Sequence, residues 1–73
     1  MPLPGEVDWS TALDYRVSVV WRRRLFGGYK ARVGGRSWVL KMNNFPEEPL
    51  WSLYVNGRHV FDFTEWPPEW TKR

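Results

Sequence analysis

Residues 29–42, YKARVGGRSWVLKM, decide the fold. The pair Gly34-Gly35 separates two alternating runs, Tyr29 to Val33 and Arg36 to Met42. A two-residue glycine loop suits a type I′ or II′ hairpin, because glycine takes positive φ without a Cβ clash. With those glycines as the loop, Val33 lies opposite Arg36, Ala31 opposite Trp38 and Tyr29 opposite Leu40. These residues share one face, on which small Ala31 meets large Trp38. Lys30, Arg32, Ser37, Val39 and Lys41 fall on the other face, which is basic.

Toward the C-terminus, Leu50 to Val55 and Arg58 to Phe63 flank Asn56-Gly57, a second strong hairpin signal. An uninterrupted register pairs Tyr54 with His59, Leu53 with Val60, Ser52 with Phe61 and Leu50 with Phe63. Neither face is then clean. One carries Trp51, Leu53, Val55 and Val60; the other carries Leu50, Tyr54, Phe61 and Phe63. A sheet apolar on both faces is covered on both. The expected cover is the first hairpin, the C-terminal segment or a second subunit.

Toward the N-terminus, Asp14 to Arg22 alternates. Tyr15, Val17, Val19 and Trp21 face one way, and Arg16, Ser18, Val20 and Arg22 the other, which predicts a half-buried strand. Arg23 and Arg24 extend it or begin a turn, and Leu25-Phe26-Gly27-Gly28 reads as a connection. Ser10 is a candidate cap for one helical turn. Residues 1–6 hold two prolines and a glycine and read as a disordered tail, which leaves 7–73 as one small β domain. The stretch NNFPEEP, residues 43–49, is a loop in which Phe45 is expected to plug one end of the core. Thr64 to Trp70 (TEWPPEW) cannot continue a central strand, because consecutive prolines lack the donors. It is expected to cross a sheet edge or barrel end, anchored by Trp66 and Trp70. The sum is an all-β fold: about five antiparallel strands in a meander, as a curved sheet or small partly open barrel.

Bulk properties narrow the function. At 73 residues the chain holds one domain. It has no cysteine, so neither a disulfide nor a thiolate zinc site braces it. Its six tryptophans are one route to enough buried area, and dimerisation is the other. No run of 18 apolar residues exists to span a membrane, and the start has no signal-peptide pattern. The expectation is a cytoplasmic protein with no membrane partner.

Catalytic chemistry has little to be made from. His59 is the only histidine. Without a second histidine or a cysteine, a catalytic dyad or transition-metal site lacks its parts. Glu47-Glu48 and Glu65/Glu69 could pair as carboxylates, but nothing in their spacing requires it. Gly27-Gly28 and Gly34-Gly35 lack the lysine and helix of a phosphate loop. The reading is a non-enzyme with no catalytic residue, no cofactor and no metal.

Charge is divided along the chain. Residues 16–41 carry Arg16, Arg22, Arg23, Arg24, Lys30, Arg32, Arg36 and Lys41 and no acid, while the net charge is only +3. Residues 42–73 carry Glu47, Glu48, Asp62, Glu65 and Glu69 against Arg58, Lys72 and Arg73. Two functions follow. The first is an interaction module working through protein–protein contacts, as a homodimer or with another protein. Its expected interface is Trp51, Tyr54, Glu65, Trp66, Glu69 and Trp70, since tryptophan and tyrosine dominate interface centres. The second is single-stranded nucleic-acid binding on a basic face of Arg22, Arg23, Arg24, Lys30, Arg32 and Lys41, where guanidinium groups meet phosphates and bases stack on rings.

The stretch NNFPEEPLWSLYV, residues 43–55, follows a short Gly-rich strand. It resembles a stretch of some small bacterial immunity proteins, in which an Asn-Pro-containing turn leads into a Trp-bearing strand. The spacing from Asn44 to Trp51 is longer here than in that pattern. The resemblance implies a small bacterial protein.

Overall fold

A computed structural model describes residues 6–73. Its strands are β1 (Val19–Arg23), β2 (Tyr29–Val33), β3 (Arg36–Met42), β4 (Trp51–Val55), β5 (Arg58–Phe63) and β6 (Trp70–Lys72). They form one sheet in the order β5-β4-β3-β2-β1-β6. The first five make the expected antiparallel meander. The sixth was not expected: past the proline crossing, Trp70 to Lys72 return to the sheet and pair with β1 in parallel.

The first hairpin has the register read from its glycines, with Tyr29 opposite Leu40, Ala31 opposite Trp38 and Val33 opposite Arg36. Gly34 and Gly35 both have positive φ, 57° and 79°, as a type I′ turn requires. Asn56 and Gly57, at 50° and 82°, do the same for the second hairpin. There Val55 faces Arg58 and Tyr54 faces His59. A bulge then intervenes at Leu53/Tyr54, so that Leu53 meets Phe61, Ser52 meets Asp62 and Trp51 meets Phe63.

This bulge corrects the expected pairings of Leu53 with Val60 and Ser52 with Phe61. One extra residue on β5 exchanges the faces of everything beyond it. Phe61 and Phe63 thereby join Trp51 and Leu53 on the core side. The second hairpin is therefore apolar on one face, and the two-sided pattern disappears.

The sheet is rolled. Laid flat, β5 and β6 would stand about 24 Å apart across five strand spacings. Instead the Phe63 and Trp70 ring centroids are 5.4 Å apart. Trp9 wedges between them, 5.5 Å from Phe63 and 5.2 Å from Trp70. No backbone pairing joins β5 to β6, so this is an open sheet whose edges meet through rings and not a closed barrel.

Inside the roll lie Val19, Trp21, Trp38, Leu40, Trp51, Leu53, Phe63 and Trp70, all buried. Each large apolar side chain so buried stabilises the fold by about 1.5–3 kcal/mol, and each edge-to-face ring pair adds about 0.5–1.5. Trp9 Nε1 donates to the Glu65 carbonyl at 2.8 Å, and Trp70 Nε1 to the Tyr15 carbonyl at 2.9 Å. Those bonds pin the segments before β1 and after β5 to the core. Trp21 Nε1 and Trp38 Nε1 are buried without a hydrogen-bond partner among the described residues, which offsets about 1–3 kcal/mol for each.

Three smaller expectations change. The strand expected over 14–22 begins only at Val19, because Leu13–Tyr15 is a 3-10 turn. Tyr15 still reaches the core, packing on Trp38 and Phe61, but Val17 is exposed. Asp8, not Ser10, organises the preceding turn: its carboxylate accepts from the Ser10 amide and hydroxyl at 3.0 and 2.7 Å. Phe45 does not plug the core; it is half exposed. The expected tail lies outside the described residues except for Glu6, which bridges to Asp62 and accepts the Thr64 amide at 3.0 Å. Among the described residues no helix is long and apolar enough to cross a membrane.

Candidate nucleic-acid interface

One face of the sheet wraps the core and the other is open. Strand alternation decides which side chains stand on the open face. In β1 it sends Val20 and Arg22 outward while Val19 and Trp21 go in. In β2 it exposes Lys30 and Arg32. Register then aligns these residues across strands. His59, Tyr54, Val39, Lys30 and Arg22 are successive partners from β5 to β1. Arg73 extends the row, because its amide donates to the Trp21 carbonyl at 2.9 Å, level with Arg22.

On the β1–β3 half of this face is an open groove of about 530 Å³. It is lined by Val20, Arg22, Lys30, Ala31, Arg32, Ser37 and Arg73. Four of the seven are cations and none is an acid. Among the described residues the side-chain ion pairs are Arg16 with Glu69 and His59 with Asp62, so no acidic side chain pairs with a groove cation. Val20, half exposed, gives the groove an apolar floor.

The β4–β5 half of the face carries rings and one tied acid. Lys41 Nζ lies 4.7 Å from the Tyr54 ring centroid, and the His59 ring meets Tyr54 edge-on at 5.5 Å. Asp62 accepts from the Ser52 hydroxyl at 2.5 Å and pairs with His59 Nε2 at 2.7 Å. Asn43 Nδ2 donates in turn to Ser52 Oγ at 2.8 Å. Burial pushes the Asp62 carboxyl up, but the Ser52 and His59 hydrogen bonds and the His59 charge outweigh it and hold it below the ordinary aspartate value. The acid of this face is thus already engaged by its neighbours.

Of the expected basic set, Arg22, Lys30 and Arg32 meet in the groove, and Lys41 shares the face beside Tyr54. Arg23 does not join them: opposite Tyr29, it takes the parity of the core face. Arg24 sits in the β1–β2 turn, its amide bonded to the Gly28 carbonyl. Arg73 was missed, since nothing in its local pattern signals a parallel strand.

The expected interface set is scattered. Trp51 and Trp70 are 6% and 5% exposed. Trp66 is half-buried among Trp21, Tyr29, Trp51 and Trp70. Glu69 is spent on Arg16, whose hydrogen bonds hold its carboxyl below the usual range. Glu65 is exposed, and Tyr54 stands on the open face. Among the described residues no group of three or more histidine or acidic side chains could hold a metal ion.

The structure is therefore a small all-β domain with one cationic face. Compared with known proteins, the chain matches no family model, no curated protein and no solved structure.

Proposed function

We propose that this protein is a non-enzymatic binding module that holds single-stranded nucleic acid on the open face of its sheet. The observation that carries this reading is the groove in which Arg22, Lys30, Arg32 and Arg73 converge with no acid among them. Cations at neighbouring strand positions, with no acidic side chain paired to them, are a site for a chain of phosphates. The same row of side chains ends in Tyr54 and His59, ring-bearing residues on which bases can stack. An acidic protein would use the same cations, and competition with an acidic polymer separates the two. Trp51, Trp66 and Trp70 pack against one another and are not free to anchor a partner protein.

The test is fluorescence anisotropy of a short labelled single strand at low salt, with two competitors. The expected result is binding displaced by unlabelled strand, and by polyglutamate of equal charge only in large excess. Displacement by both polymers alike would assign the face to acidic proteins. No binding at low salt would end the nucleic-acid reading.

A further inference from the structure

Outside the groove, the most unusual surface is the β1–β2 turn. Leu25 and Phe26 are 89% and 93% exposed, more than any other large apolar side chain described. They follow Arg22, Arg23 and Arg24 directly. The turn is also built and not slack. The Arg24 amide donates to the Gly28 carbonyl at 3.0 Å, and Gly27 and Gly28 both have positive φ. A Cβ at Gly28 would collide with the Leu40 backbone carbonyl, so the turn is seated tightly on β3. The two apolar side chains are held out into water by a turn that contacts its neighbour.

Register brings a second apolar element to the same end of the sheet. Because Tyr29 faces Leu40, the end of β3 lies beside the β1–β2 turn. Met42 and Phe45 there are 63% and 52% exposed. The acids of this end, Glu47 and Glu48 with Glu65, belong to the β3–β4 loop and the segment after β5. The residues directly before Leu25 and Phe26 are basic, Arg22 to Arg24.

We propose that this end docks on an anionic lipid surface. Leu25 and Phe26 enter the boundary between headgroups and acyl chains, and Arg23 and Arg24 meet the anionic headgroups. Apolar side chains beside a basic cluster are the combination by which proteins lie on such membranes without spanning them. A protruding turn needs no complementary pocket in a fluid layer, which favours lipid over a folded partner. The absence of a spanning helix bears on crossing a membrane and not on resting upon one. This surface is separate from the groove except for Arg22.

The test is co-sedimentation of the full chain with vesicles, either of phosphatidylcholine alone or with one part phosphatidylglycerol to three of phosphatidylcholine. Binding is expected to the mixed vesicles and not to the neutral ones. Leu25→Ser with Phe26→Ser should weaken it at least tenfold, and Arg23→Ala with Arg24→Ala roughly thirtyfold. Both double variants should keep tryptophan fluorescence and oligonucleotide binding unchanged, because the altered side chains lie outside the core and the groove. The chain has no cysteine, so Leu25→Cys accepts a single environment-sensitive dye, whose emission should shift to the blue on the mixed vesicles. Equal binding by the serine variant, or equal binding to neutral vesicles, would overturn the proposal. So would a dimer, seen by light scattering, that the serine variant abolishes. Loss of vesicle binding on Arg32→Ala would also overturn it, by assigning the lipid to the groove.

Discussion

Replacing Lys30 and Arg32 together by alanine tests the groove quantitatively. Both side chains are exposed on β2 and project from the sheet away from the core, so the double variant should fold. Four cations line the groove. If each neutralises one phosphate of a single strand, log K falls against log salt with a slope of about −2.8. Raising salt from 50 to 200 mM then weakens binding about 50-fold. With Arg22 and Arg73 alone the slope is about −1.4, and the same salt change costs only about sevenfold. The variant therefore binds more weakly at low salt but loses less as salt rises. Anisotropy titrations at four or five salt concentrations read both numbers. Arg23→Ala is the control, since its register takes it off this face. The reasoning is refuted if the double variant keeps the wild-type slope, or if Arg23→Ala lowers the slope as much.

Two further outcomes follow from the fold. Gly28→Ala puts a Cβ onto the Leu40 carbonyl at a φ of 74°, so it should destabilise by about 2–5 kcal/mol, the sum of left-handed strain and overpacking. Gly34→Ala meets open space and should cost only about 1–2 kcal/mol; equal urea midpoints for the two variants would contradict the contact. Asp62 is held below its unfolded value, so its contribution is complete above about pH 5 and is lost as pH falls through the folded value. Asp62→Asn should therefore lose less stability than wild type between about pH 5 and 3, and parallel losses would show that the Ser52 and His59 contacts do not matter.

Much of the scaffold was legible because its turns are local. Gly34-Gly35 and Asn56-Gly57 each specify a primed turn, and a primed turn specifies its flanking pairs. From the first alone, the alternation of β2 yielded Lys30 and Arg32 on one side and Ala31 on the other. The second turn was read correctly as far as Tyr54 and His59. Beyond them the bulge intervened, and it has no local signature: Val60 is an ordinary strand residue. The clue lay in the pattern itself, since an apolar distribution on both faces becomes one-sided when a single residue is inserted. The crossing at Pro67-Pro68 was legible from missing donors, but its destination was not. Pairing of Trp70 with Val19 depends on contacts between distant parts of the chain, and Arg73 enters the groove only through that pairing. The tryptophans were legible in number and not in place. Six of them pointed to buried area, and a sheet rolled around so little chain does use nearly all of them to fill its interior, Trp51 and Trp70 of the expected interface included.

The ring-sealed seam also orders the events of folding. Its two pinning bonds, Trp9 to Glu65 and Trp70 to Tyr15, join residues 56 and 55 positions apart. The two hairpins with primed turns need only neighbours a few residues away and form within microseconds, whereas contacts of long sequence separation form late. Until Trp70 docks, the outer edge of β1 offers unpaired amides and carbonyls, a template for any passing strand. A short parallel strand that looks like a minor addition to the sheet therefore replaces the five-residue edge of β1 with one of three residues, and the vulnerable interval of refolding is the one before it arrives.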